Sequence, residues 1–177
     1  MVILVMGVTG AGKTTVGKLL AATLEWKFAD ADDFHSTANV DKISRGIPLE
    51  ESDREPWLTT LSAAITRWIE EKENVVLACS ALKRSYRKAL GVEESANAKV
   101  VYLKGSYDLI YNRLRGRHEH FATESILASQ FADLEEPQKV ESPNSNTDAG
   151  TRSTIVVDVS RPPAEIVADI QASFSLP

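Results

Sequence analysis

The residues with the most definite chemical purpose stand near the start of the chain, where residues 7–14 read GVTGAGKT. This is the G-x-x-x-x-G-K-[ST] pattern of a phosphate-binding loop. Its glycines allow the positive φ angles that let successive backbone N–H groups point at an anion. Lys13 is expected to reach the β- and γ-phosphates of a nucleotide, and the Thr14 hydroxyl is expected to bind Mg²⁺. The predicted nucleotide contacts are Gly7, Val8, Thr9, Gly10, Ala11, Gly12, Lys13, Thr14 and Thr15.

Two carboxylates, Asp30 and Asp32, come after a short predicted strand at Phe28-Ala29. Alternate residues that leave a strand point the same way, so both carboxylates are expected to face one site. In a phosphoryl transfer, Asp30 could hold a water of the Mg²⁺ shell. Asp32 could accept a hydrogen bond from the hydroxyl that receives the phosphoryl group. The alternative is that both are solvated loop residues or helix caps.

Two groups of basic residues could bind anions. Arg113 and Arg117 lie four residues apart and would share one face of a helix, where their guanidinium groups could clamp nucleotide phosphates. Alternatively, they mark a solvated helix end, where cations complement the helix dipole. A second group could surround a small anionic acceptor or lie on the solvated surface: His35, Lys42, Arg54, Lys83 and Arg87.

Alternating strands and helices must position these residues. Apolar runs predict buried strands at 2–6, 75–79, 100–103 and 155–157, besides Phe28-Ala29. Helices are predicted after the phosphate loop, over Pro56–Ile69, after a capping Ser80, over about Tyr107–Arg115, and from Pro163. Nearly continuous apolar strands separated by helices are typical of an α/β fold whose parallel sheet is covered on both faces. Such sheets bind ligands at the carboxyl ends of their strands.

The composition limits the classes of protein that the chain can represent. Its 177 residues predict a single domain, and the net charge of -5 argues against nonspecific binding to nucleic acid or an anionic membrane. A lone cysteine, Cys79, excludes an intramolecular disulfide and favours a reducing, cytoplasmic compartment. No apolar stretch approaches the roughly 20 residues of a membrane span, and the N-terminus does not resemble a signal peptide. Trp26, Trp57 and Trp68 are interpreted as packing residues.

The chain resembles the small phosphate-loop gluconokinases, which are related to shikimate kinase and the adenylate kinases, from its first strand to its terminal helix. Besides the phosphate loop, four stretches carry the resemblance: 30–58, 79–87 (CSALKRSYR), 102–105 (YLKG) and 113–137. The first contains Asn39, Lys42, Gly46, Pro48, Leu49, Asp53, Arg54, Pro56, Trp57 and Leu58; the last contains R-x-x-x-R, His120-Phe121, Ser129-Gln130-Phe131, Leu134-Glu135 and Pro137. The chain departs from the family at Ser36, where Pro is common, and in the long polar segment 138–153.

The resemblance implies a three-layer fold like that of nucleoside-monophosphate kinases, with a five-stranded parallel sheet. It also implies a substrate-binding helical segment near residues 35–70 and a mobile lid near 117–137. The implied activity is ATP-dependent phosphorylation of D-gluconate to 6-phospho-D-gluconate with Mg²⁺, in a homodimer. Lys13, Asp32 and Arg117 would be catalytic, and Arg113 and Arg117 would lie at the lid edge. Arg161 would bind the nucleotide beside adenine.

Two alternatives remain open from the sequence. One is a kinase of another small hydroxy acid, such as shikimate. The other is a nucleotide-binding switch without enzymatic activity, such as a small GTPase. The chain lacks an Asn-Lys-x-Asp motif for reading guanine, which argues against the GTPase.

Overall fold

A parallel sheet forms the centre of the protein in a computed structural model that describes residues 1–45, 47, 49–93, 95–115, 120–137 and 153–177. Within these residues its strands are β1 (Val2–Met6), β2 (Lys27–Asp30), β3 (Val75–Ala78), β4 (Ala98–Lys104) and β5 (Thr154–Asp158). All neighbouring strands pair in parallel, in the order β2-β3-β1-β4-β5. The α/β fold that the apolar runs predict is therefore confirmed.

Helices cover both faces of this sheet. They are α1 (Lys13–Leu24), α2 (Thr37–Ser44), α3 (Glu51–Glu70), α4 (Arg84–Ala89), α5 (Tyr107–Arg115), α6 (His120–Asp133) and α7 (Pro163–Phe174), with a short 3-10 helix at Ala31–Phe34.

The central strand β1 is continuously apolar because both of its faces are buried. Its side chains alternate between the two faces, and each face carries its own core. Ile3 and Val5 pack in the core that contains residues of α1 and α7, whereas Val2, Leu4 and Met6 pack in the core that contains residues of α3. Every residue of β1 is fully buried, so an apolar side chain is favoured at each position.

Two helix boundaries differ from the prediction. Helix α3 begins at Glu51, five residues before Pro56, because the Asp53 carboxylate accepts a hydrogen bond from the Glu50 N–H (2.8 Å) and caps an earlier turn. Pro56 therefore lies inside the helix rather than in its first turn. Ser80 does not cap α4, which begins at Arg84, because Ala81 adopts a left-handed φ of 41° and keeps the preceding residues out of the helix.

Three segments at one edge of the sheet carry the residues of the predicted site. The phosphate loop comes after β1, the 3-10 helix after β2, and the loop 80–83 after β3. Because parallel strands end at the same edge of a sheet, these three segments lie side by side. Arg117, Gly46, Pro48 and residues 138–152 lie outside the described residues. In the part of the chain that is described, no helix combines the length and apolarity of a membrane span.

Candidate active site

The phosphate loop has the backbone geometry that its glycines predict. Gly10 and Gly12 adopt φ angles of 79° and 97°, which L side chains rarely accept. A Cβ atom added to Gly10 would lie 2.8 Å from Leu114 Cγ, so this glycine also lets α5 pack closely on the loop. A Cβ atom added to Gly12 would meet no protein atom within 4 Å. The loop therefore borders open space at the N-terminus of α1, where an anion is favoured.

The side chains of Lys13 and Thr14 lie at the mouth of this loop. Lys13 Nζ folds back to donate a hydrogen bond to the Val8 carbonyl (3.0 Å). The Thr14 hydroxyl donates to Asp30 Oδ2 (3.1 Å), which joins the loop to the end of β2. Burial lowers the pKa of Lys13, and the neighbouring carboxylates Asp32 and Asp30 oppose that shift. The structure thus brings the lysine, the threonine and both predicted aspartates into one neighbourhood.

Asp32 reaches this neighbourhood by a different route from the predicted one. Strand β2 ends at Asp30, and Asp32 lies in the 3-10 helix, so strand alternation does not orient it. Instead, Asp30 Oδ1 accepts a hydrogen bond from the Asp32 N–H (3.2 Å) and caps the 3-10 turn. Burial and the adjacent Asp30 charge raise the pKa of Asp32, against the opposing effects of His35 and Lys13. A raised pKa makes Asp32 a stronger general base than an ordinary aspartate.

Trp57 takes part in the site, although its sequence context predicts packing alone. Its ring stacks on His35 with centroids 4.7 Å apart and planes 16° apart. Its indole Nε1 donates a hydrogen bond to the Ala31 carbonyl (2.8 Å), which fixes the start of the 3-10 helix. Burial lowers the pKa of His35, as does Arg54, while Asp32 raises it. Trp57 therefore orients a neutral imidazole next to Asp32.

The predicted acceptor cations occupy different environments. Lys42 binds both oxygens of Asp53, at 2.6 and 2.7 Å, and this pairing lowers the pKa of Asp53. Arg54 and Lys83 instead share a second carboxylate, Glu51, at 3.2 and 3.0 Å. The sequence alone indicates no role for Glu51 in binding, because an acidic residue in the first turn of a helix is already favoured by the helix dipole.

Arg87 is a structural residue, which corrects its prediction as an acceptor ligand. Its side chain is 1% exposed, and its Nε pairs with Glu93 at 2.6 Å. Its Nη1 donates to the carbonyls of Ala81 (3.1 Å) and Leu82 (3.0 Å). Through these hydrogen bonds the guanidinium fixes the backbone of the loop that follows β3. A basic residue in a motif does not by itself reveal whether its charge faces the ligand or the backbone.

We expect Arg87→Met to lower the free energy of unfolding by about 2–3 kcal/mol, because it removes the Arg87 donors from the Ala81 carbonyl and the Glu93 carboxylate and leaves the Leu82 carbonyl only its bond from the Glu135 N–H. Urea denaturation measures this loss. Arg84→Met is the matched control, since Arg84 is 77% exposed and lies 3.8 Å from the same Glu93, and its loss should cost less than about 0.5 kcal/mol. If Arg87→Met has normal stability but binds the acceptor more weakly, the result would instead support the direct contact between Arg87 and the acceptor that the sequence predicts.

The predicted nucleotide-side arginines are engaged with the protein itself. Arg113 donates a hydrogen bond from Nη2 to the Val159 carbonyl and so ties α5 to the end of β5. Arg161 pairs with Glu165 and Asp169 along α7. The structure does not bring these two guanidinium groups to Lys13 by any contact of the described residues. Arg117, the third predicted arginine, lies outside those residues.

Gln130 is a site residue whose role the sequence alone does not predict. Its side-chain Oε1 accepts a hydrogen bond from the Thr9 N–H (2.6 Å), so α6 contacts the phosphate loop directly. Only the Ser129-Gln130-Phe131 motif in the resemblance could have pointed to it. After α6, the Glu135 N–H donates to the Leu82 carbonyl (3.0 Å), which anchors the end of this segment beside the site.

Comparison with known proteins places this geometry in a family. The family model described as shikimate kinase matches residues 9–173. A mouse protein named probable gluconokinase is 48% identical over 156 residues, which cover 79% of this chain and 85% of the mouse protein.

Two crystal structures agree over almost the whole fold. A gluconokinase from Sinorhizobium meliloti 1021 has a TM-score of 0.77 and 38% identity, covering 98% of this chain and 90% of its own. An unliganded sugar kinase from Janibacter sp. HTCC2649 has a TM-score of 0.82 and 34% identity, covering 99% of this chain and 94% of its own. The chain therefore belongs to the gluconokinases and, more broadly, to the family that the shikimate kinase model describes.

Proposed function

We propose that the protein transfers the γ-phosphoryl group of ATP to D-gluconate and forms 6-phospho-D-gluconate. One observation carries the proposal: Asp32, whose pKa is raised by burial and by Asp30, interacts electrostatically with both Lys13 of the phosphate loop and the stacked His35. A phosphate site and an acceptor base at one sheet edge suit in-line transfer to a hydroxyl. The kinship with gluconokinases favours gluconate as that acceptor.

The phosphate loop fits the triphosphate of ATP. The open space beside Gly12 leaves room for an anion where a side chain would otherwise lie. Main-chain N–H groups within residues 7–15 would hold the phosphates, with the Thr9 N–H exchanging its bond to Gln130 Oε1 if it takes part, and Lys13 would neutralise charge that develops during transfer. The Lys13 ammonium need only exchange its bond to the Val8 carbonyl for a phosphate oxygen.

Thr14 and Asp30 fit a Mg²⁺ ion bound together with the nucleotide. Their hydrogen-bonded oxygens, 3.1 Å apart, supply one hydroxyl ligand and one carboxylate that can hold metal-bound water. In the described residues no cluster of three or more acids, histidines or cysteines would form an all-protein metal site. A single hydroxyl with a supporting carboxylate is what Mg²⁺ needs when phosphates and waters complete its shell. The bound ion would offset negative charge on the phosphates.

Asp32 would orient the acceptor hydroxyl and take its proton as the phosphoryl group arrives. The loose transition state makes orientation as important as basicity. His35, held by Trp57, would contact the acceptor, and Arg54 and Lys83 would bind its carboxylate.

Arg113, Arg117 and Arg161 remain proposed nucleotide ligands, and the 117–137 segment remains a proposed lid. A homodimer and a cytoplasmic location also remain proposals, and light scattering after gel filtration tests the first.

The acceptor is tested by ADP release from purified protein with D-gluconate, shikimate or nucleoside monophosphates. We expect turnover with gluconate at least about a hundredfold above the others, since a mismatched acceptor leaves buried polar groups unpaired. Shikimate is the second candidate because the matching family model carries its name. Release with shikimate alone would move the protein to that activity, and release with no acceptor would support a nucleotide switch.

A further inference from the structure

One oxygen of Glu51 collects three donors from different parts of the chain. Its Oε1 accepts hydrogen bonds from Tyr86 Oη (2.6 Å), Lys83 Nζ (3.0 Å) and Arg54 Nη1 (3.2 Å). Arg54 Nη1 also lies 3.2 Å from Tyr86 Oη, so the donors form one cluster. Two cations and a phenol around one carboxylate oxygen constitute a binding site for a carboxylate. We call Arg54, Lys83 and Tyr86 the carboxylate clamp.

The clamp lies next to the acceptor side of the active site. Asn39 Nδ2 lies 3.5 Å from His35 Nδ1 and donates a hydrogen bond to the carbonyl of Asp53 (2.8 Å), the residue that directly precedes Arg54. A substrate acid whose hydroxyl approaches Asp32 would therefore extend toward the clamp. Asp133 of α6 also lies 3.8 Å from Lys83 Nζ, so the clamp faces the helix that contacts the phosphate loop.

The carboxylate that fills the clamp is more exposed to solvent than the two cations that bind it. The Glu51 side chain is 64% exposed, whereas Arg54 and Lys83 are 26% and 29% exposed. An exposed carboxylate can rotate into water at low cost, because exposed ion pairs contribute little stability. Lys42 is less available to a substrate carboxylate, because it binds both oxygens of the half-buried Asp53.

We propose that Glu51 is an internal substitute for the carboxylate of the substrate. It holds the clamp together in the free protein and leaves when the acid binds, so the two carboxylates compete for the same donors. Glu51 thereby sets the affinity for the acid and disfavours neutral sugars, which cannot replace its charge. This inference rests on the proposed phosphorylation of gluconate.

The test compares Glu51→Gln with the wild-type protein in steady-state kinetics and in calorimetric titration with D-gluconate. We expect the KM and Kd for gluconate to fall about threefold to tenfold, because the competing charge is gone. The kcat and the KM for ATP should stay within twofold. Glu55→Gln removes an equal charge one helical turn away and should change none of these values.

Glu51→Asp tests whether the effect of Glu51→Gln comes from a weakened start of α3. It keeps a negative charge at the N-terminus of this helix but shortens the side chain by one methylene. We expect its KM for gluconate to fall less than that of Glu51→Gln. A KM that rises or stays constant in both variants would overturn the inference, because Glu51 would then merely position the clamp. Absence of gluconate turnover in the wild type would instead overturn the proposed function, and the inference with it.

Discussion

Lys13→Ala is expected to lower kcat/KM for phosphoryl transfer at least about a hundredfold, the usual cost of removing one preorganised charge-stabilising donor. Lys13 begins α1 and directs its ammonium to the mouth of the phosphate loop. There it would meet the charge of the transferring phosphoryl group. The protein should remain folded, because burial already disfavours the Lys13 cation. Coupled ADP release and a thermal melt measure the two effects separately.

Lys18→Ala is the matched control for this variant. Lys18 lies on the exposed side of the same helix, with its Nζ 5.6 Å from the centroid of the Phe28 ring. Its removal takes away an equal charge without touching the loop, so kcat/KM should stay within about twofold of the wild type. A Lys13→Ala protein that keeps most of its activity would contradict the assignment of the phosphate grip.

Asp32→Asn is expected to lower kcat by about a hundredfold or more, the common contribution of a positioned general base, while ATP affinity stays within a few-fold. Asparagine fills the same space but cannot take the proton of the acceptor hydroxyl. Asp33→Asn is the control, because it removes an equal charge next to Asp32, and Asp33 affects the pKa of Asp32 less than Asp30, His35 or Lys13 does. Parallel losses of kcat and ATP affinity would place Asp32 on the nucleotide instead.

The raised pKa of Asp32 determines the direction of two pH effects, one on kcat and one on the stability of the folded protein. Wild-type kcat should fall as the pH drops through this pKa, at a higher pH than an ordinary aspartate would give, and Asp32→Asn should lack this limb. The native state favours the protonated carboxyl, so the stability linked to this group is present below its unfolded pKa and lost as the pH rises through its folded pKa. Asp32→Asn should therefore melt no lower than the wild type at neutral pH.

Much of the framework could be predicted because it depends on local patterns. The phosphate loop has a fixed spacing of glycines, lysine and threonine, and β1 has a continuous apolar run that only a doubly covered strand explains. Helix α5 has the bounds that the sequence predicts, Tyr107–Arg115. Asp30 contacts Thr14 of the phosphate loop, and a 3-10 turn capped by Asp30, rather than strand alternation, orients Asp32.

The remaining features depend on contacts between distant segments. Arg87 has the charge of a ligand, but its donors bind two carbonyls and Glu93, which only the folded loop reveals. Trp57 packs as expected, yet its ring also meets His35 from another element. The bond between Gln130 and the phosphate loop joins residues 121 positions apart. No single-sequence pattern encodes such a pairing.

A crystal structure with a nonhydrolysable ATP analogue, Mg²⁺ and D-gluconate tests the central claim most directly. We expect the triphosphate on the main-chain N–H groups of residues 7–15, with Lys13 Nζ on its terminal phosphate. One hydroxyl of gluconate should lie within hydrogen-bond distance of an Asp32 carboxylate oxygen, in line with that phosphate. A triphosphate bound elsewhere, or a gluconate whose hydroxyls all point away from Asp32, would contradict the account.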